Sequence, residues 1–98
     1  MVRIEGRHGT IITDDGTSVN VSRWTIDLVQ DRFSSWSGMA ICNYVGFTEL
    51  DAAAISFMDS AGDIWTGRIT IQSEETRTSD VYLRFHGETT LSRNGQVR

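Results

Sequence analysis

The stretch VNVSRWTIDLVQDRF, residues 19–33, decides the fold class. Trp24, Ile26 and Leu28 alternate with Arg23, Thr25 and Asp27. Successive side chains of a strand point to opposite faces, so this period of two marks a half-buried strand running from about Ser22 to Asp31. The rings and aliphatics face a core; the charged residues face out. Phe33 and Trp36 follow, so aromatics and arginines crowd together with no catalytic residue beside them.

The pattern repeats on both sides. Upstream, VRIE at residues 2–5 is a short candidate strand, and GTIITDDGTSVNVS places two alternating runs around Asp15-Gly16. Glycine tolerates positive φ, so that dipeptide predicts a hairpin. Downstream, FSSWSG reads as a loop or wide turn, and MAICNYVGF as a strand that bulges or ends at Gly46. In TELDAAAIS, Thr48 and Asp51 have the spacing of a weak capping box and predict one helical turn at most. AISFMD and IWTGRITIQ flank Asp59–Asp63 as a second hairpin. Trp65, Ile69 and Ile71 share one face, where Gly67 leaves room for a neighbouring ring or marks a bend. SEETRTS, residues 73–79, has no periodicity and reads as a mobile loop. DVYLRFHGE is the last clear strand, with Val81, Leu83 and Phe85 inward and Tyr82, Arg84, His86 and Glu88 outward. Residues 91–98 form a short added strand or a flexible tail. The expectation is an all-β chain: one domain over residues 1–98, an antiparallel β-sandwich or small β-barrel of about seven strands.

Composition narrows the function classes. The net charge is −4, whereas phosphate-directed nucleic-acid binding needs a basic footprint. Stable nucleic-acid binding is therefore not expected, although aromatics on a β-face would suit stacking on single strands. All nine basic residues are arginines, and proline is absent. No apolar run approaches the roughly 20 residues that span a bilayer as a helix, and the N-terminus lacks the apolar stretch of a secretory signal. No membrane partner is expected. The lone cysteine, Cys42, sits in the apolar MAICNYV segment and reads as a small buried side chain.

Catalytic and metal patterns are sparse. His8, His86 and Cys42 lack metal-ligand spacing. Asp59, Ser60 and Asp63 resemble a cation loop only superficially, because the regular oxygen spacings and closing glutamate of a calcium loop are missing. His86 and Glu88 share a face and read as a surface hydrogen bond. There is no nucleophile elbow and no glycine-rich phosphate loop. The expectation is a non-enzymatic protein with no catalytic residue, metal or cofactor. The interface candidates are Arg23, Asp27, Trp36, Arg68, Tyr82, Arg84 and His86, since Trp, Tyr and Arg dominate binding hot spots.

The segments DDGTSVNVSRWTIDLVQD, GDIWTGRITI and VYLRFHG together resemble the small β-sandwich proteins of bacteriophage virions, tail-tube-like or head–tail joining. A DG-x-x-V-x-x-V-x-x-W-x-x-D pattern is matched at Asp15, Gly16, Val19, Trp24 and Asp27, with Val21 out of ideal register; Phe85 and Gly87 match a later F-x-G. The chain is shorter than most tail-tube subunits. The resemblance implies self-association and contact with other virion proteins through sheet edges and outward Arg/Asp faces, in a virion; without a phage origin the expected location is cytoplasmic. The alternative is a monomeric or dimeric β-sandwich module that binds a protein or carbohydrate through exposed aromatics, Trp36 and Tyr82 first.

Overall fold

The computed structural model describes residues 2–30, 32–43, 46–48 and 51–97. Nine strands lie among them: β1 (Val2–Gly6), β2 (His8–Thr13), β3 (Ser18–Val29), β4 (Arg32–Cys42), β5 (Ala52–Met58), β6 (Ile64–Arg77), β7 (Asp80–Gly87), β8 (Ser92–Arg93) and β9 (Gln96–Val97). All pairings are antiparallel. The order β5-β2-β3-β4-β7-β6 closes through β5–β6 into a six-stranded barrel. β8 and β9 hang from β6, and β1 pairs β3 alone.

The alternation seen in the sequence builds the barrel interior. Ile11, Ile55, Phe57, Trp65, Ile69, Ile71, Val81, Leu83 and Phe85 are all buried. On β3 the inward residues change phase, from Val19 and Val21 to Trp24, Ile26 and Leu28. A period-two strand can do this only by inserting one residue. The β3–β4 register shifts between Val21 and Arg23, and the extra residue is Ser22, whose hydroxyl donates to the Ile41 carbonyl at 3.2 Å. Rings fill the interior in sequence: Trp24 stacks on Phe57 at 5.0 Å, Phe57 meets Phe85 edge-on at 6.1 Å, and Phe85 meets Trp36 at 6.3 Å. A barrel this small has room only for its own side chains.

Two expectations are corrected, and one left open between a short added strand and a flexible tail resolves to the strand. FSSWSG is part of β4 rather than a free loop; only Phe33–Ser35 lie out of register, between the Leu28–Trp36 and Val29–Arg32 pairs. Residues 73–79 are not a loop. β6 runs to Arg77 and turns into β7 through Thr78-Ser79, with Arg77 opposite Asp80. The tail is docked: Leu91 is fully buried, its amide donates to the Phe33 carbonyl at 2.8 Å, and Asn94-Gly95 turn β8 into β9 with both φ angles positive. At the expected helical turn, Asp51 N–H donates to the Thr48 carbonyl and its carboxylate accepts from Thr48 N–H, but no helix forms among the described residues. Tyr44 and Val45 of the expected MAICNYVGF strand, Glu49 and Leu50 of that turn, and Asp31 at the end of the opening run lie outside the described residues. Both expected hairpins form, at Asp15-Gly16 and at Asp59–Asp63, with Gly16 and Gly62 at φ of 93° and 89°.

Candidate functional site

Strand order sorts the seven interface candidates onto three places. Arg23 and Tyr82 flank Ile41, Thr25 and Arg84 flank Met39, and Asp27 and His86 flank Ser37, across β3, β4 and β7. Five candidates therefore share one outer face. Arg68 projects from β6 opposite Ala54, further round the barrel, where its guanidinium pairs with Asp14 at 2.6 Å. Trp36 is inside. It is 3% exposed, and its Nε1–H donates to the Thr89 carbonyl at 2.8 Å. Of the two roles the sequence left open for Trp36, a contact residue or a plug for one end of the fold, its burial fits the plug, and a single N–H with a partner is what a buried indole needs.

The charged face is internally cross-linked. Arg3 on β1 reaches Asp27 through Nε at 2.8 Å and Nη2 at 3.3 Å. Arg77 lies over the Tyr82 ring at 5.0 Å and pairs with Glu75 at 3.1 Å, which holds the Glu75 carboxyl below its ordinary range. One oxygen of Glu88 accepts the Thr70 hydroxyl and meets His86 Nε2, each at 2.6 Å. These contacts, the Thr70 hydrogen bond foremost, hold Glu88 below its usual value. The Glu88 carboxylate thus bridges the Thr70 hydroxyl and the His86 imidazole. His86 Nδ1 is enclosed without a partner among the described residues. A shallow depression of about 250 Å³ sits over Gly38, between the Arg3–Asp27 pair and Arg84.

The short strand expected at residues 2–5 forms as β1, but its open edge was not legible in the sequence. Its five residues pair with β3 without interruption, from Val2 opposite Leu28 to Gly6 opposite Trp24. Its other edge pairs with no strand among the described residues. The barrel neighbour on that side, β5, stops at Met58 opposite His8. Beyond it lies a groove of about 480 Å³, with Leu28, Phe33 and Trp65 as the floor and Asp59–Ala61 and Arg93 as the far rim. Val2, Arg3, Ile4 and Glu5 all line it. Consecutive residues alternate faces, so four in a row can line a groove only along a strand's edge. What opens there is a row of backbone donors and acceptors beside an apolar floor.

The acidic hairpin loop is occupied by its own fold. Asp59 accepts from the amides of Ala61 and Asp63 and from Trp65 Nε1 at 2.9–3.0 Å. Asp63 takes Asn94 Nδ2 and Arg93, contacts that hold its carboxyl below the ordinary value. Among the described residues no group of three or more His, Cys, Asp or Glu is placed to hold a metal ion. The described aromatics are buried except Phe33 and Tyr82, which are half-buried; Phe33 and Trp65 meet the surface at the floor of the β1 groove. Compared with protein-family models, curated proteins and solved structures, the chain matches none.

Proposed function

We propose that this chain is a non-enzymatic structural subunit that self-associates through a sheet edge, aided by the Arg/Asp face beside it. The observation that carries this reading is the open edge of β1 against its apolar groove. Closing a barrel removes edges, and proteins that keep one blunt it with charged side chains (lysine above all), proline, a bulge or a short strand; β1 is short and carries two charges, Arg3 and Glu5, of opposite sign. This chain contains no lysine and no proline, and β1 has no bulge. Edge-to-edge pairing supplies main-chain hydrogen bonds, and the outward charges Arg3, Asp27 and Arg84 supply register and discrimination.

A phage virion, as a tail-tube-like, connector or decoration component, is the setting suggested by the sequence resemblance, and it belongs to the same proposal. The competing idea, a module gripping sugar or protein with exposed aromatics, loses its leading residue with the burial of Trp36. The test is molar mass by light scattering over a concentration series, with negative-stain images of the same samples. A concentration-dependent oligomer is the expected result. A mass of 11.0 kDa at every concentration overturns self-association.

A further inference from the structure

We infer that β1 pairs antiparallel with β1 of a second copy, about a two-fold axis through Ile4 and perpendicular to the sheet. The inference rests on the self-association reading above and names its contact. In this register the second copy's Ile4 lies opposite Ile4, its Glu5 opposite Arg3, and its Gly6 opposite Val2. The sequence VRIEG is therefore self-complementary in charge about its central residue. Two Arg–Glu pairs form by symmetry. An axis through Arg3 would set two guanidiniums face to face, and an axis through Glu5 two carboxylates; like charges directly opposite destabilise a sheet.

The apolar side agrees. A two-fold perpendicular to the sheet keeps Val2 and Ile4 of both copies on the groove side. Val2 is 43% exposed in the single chain and sits at the mouth of the groove. Directly opposed antiparallel residues have local two-fold symmetry whether or not they exchange hydrogen bonds, so the axis through Ile4 suits either phase of the ladder. Glu5 makes no ion pair among the described residues, and Arg3 is engaged by Asp27 on one side only, so both retain capacity for a facing partner. A self-complementary patch is what a two-fold interface requires.

Site-directed cross-linking tests the register. Directly opposed Cα atoms lie about 4.5–5.5 Å apart, within disulfide reach. The native chain contributes only the buried Cys42. Ile4→Cys is expected to give a covalent dimer on mild oxidation. Arg3→Cys and Glu5→Cys should each stay monomeric but cross-link when mixed. Charge reversal supplies the second arm: Arg3→Glu and Glu5→Arg should each weaken association about tenfold or more, as an opposed like-charge pair predicts, and should recover it on mixing as a heterodimer. If the wild type associates but Ile4→Cys does not cross-link, or the charge variants fail to rescue each other, this pairing is wrong and the assembly reading stands on another surface. If the wild type is monomeric and nothing cross-links, both fall.

Discussion

Trp36 lies in a slot cut by two glycines. A Cβ built at Gly67 would come 2.8 Å from its Cζ2, and one built at Gly87 would land inside the indole. The ring is held at its nitrogen by Thr89 and edge-on by Phe85, so it has nowhere to retreat. Gly87 has no positive φ, so alanine is acceptable to the backbone and the only objection is the ring. Gly87→Ala should therefore cost the price of overpacking, about 2–3 kcal/mol. Trp36→Ala removes about 200 Å² of buried surface at roughly 25 cal/mol/Å², about 5 kcal/mol as an upper figure, and leaves the Thr89 carbonyl without its donor. If the two acted independently, the double variant would lose about 7 kcal/mol, most of the stability of a chain this size. With the ring gone, however, the added methyl meets only a cavity, and Gly→Ala at a permitted φ restricts the unfolded chain and stabilises by about 0.4–1 kcal/mol. The double variant should be no less stable than Trp36→Ala alone, a coupling of about 2–3 kcal/mol. Urea denaturation followed by far-UV circular dichroism measures all four corners of the cycle. Additive losses, or a neutral Gly87→Ala in the wild-type background, would refute the slot.

Further outcomes follow from single residues. Thr78 is a β-branched residue at φ 57° in the two-residue turn between β6 and β7, a position that favours glycine; Thr78→Gly should raise stability by about 1 kcal/mol in the same denaturation assay. Leu91→Ala should cost about 2–3 kcal/mol because the side chain is fully buried, and no change in the midpoint would show the tail to be loosely attached. Asp63 holds the tail through Asn94 and Arg93, and its folded carboxyl lies below the ordinary 3.8. A depressed carboxyl contributes stability that is intact above the unfolded value and lost as pH falls through the folded one. Amide protection at Ile64 and Asn94 should hold at neutral pH and fall below about pH 4, and Asp63→Asn should remove that step.

Periodicity made the fold class readable, because each core strand buries one face. It failed where that condition lapsed. In FSSWSG the inward positions are Trp36 and Gly38, and the space over Gly38 is filled by the Phe85 ring from β7, so the apolar phase looks broken in sequence although it is intact in space. Residues 73–79 are exposed apart from the half-buried Glu74, whose carboxylate accepts from the Gly46 and Phe47 amides, so no apolar alternation marks this end of β6. The tail carried a readable signal, since Asn94-Gly95 is the dipeptide of a two-residue hairpin turn. Gly67 was legible as room for a ring, but that the ring is Trp36 follows only from the fold. Parity placed Arg23, Asp27, Tyr82, Arg84 and His86 outward. That Arg68 belongs to a different face depends on strand order, which no local pattern contains.

The open edge of β1 has a traceable cause of the same non-local kind. β3 is 12 residues long and β2 and β5 are 6 and 7, so the far half of β3 needs a separate partner, and β1 supplies it. β1 would itself be covered if β5 ran on past Met58. It cannot, because Asp59 gathers the amides of Ala61 and Asp63 and the Trp65 indole, and so turns the chain back at that point. The residue that closes the hairpin thereby leaves the neighbouring edge bare. Asp59 thus serves both barrel closure and edge availability, whereas the charged side chains that β1 would present to a partner stand outside the core. Glu5, whose side chain is exposed and makes no hydrogen bond or ion pair among the described residues, presents that side chain at the edge. At a concentration where both are monomeric, Glu5→Arg should leave the unfolding free energy within about 0.5 kcal/mol of wild type, while lowering the mass at concentrations where the wild type associates. A variant that lost stability and association together would show that the edge is part of the core.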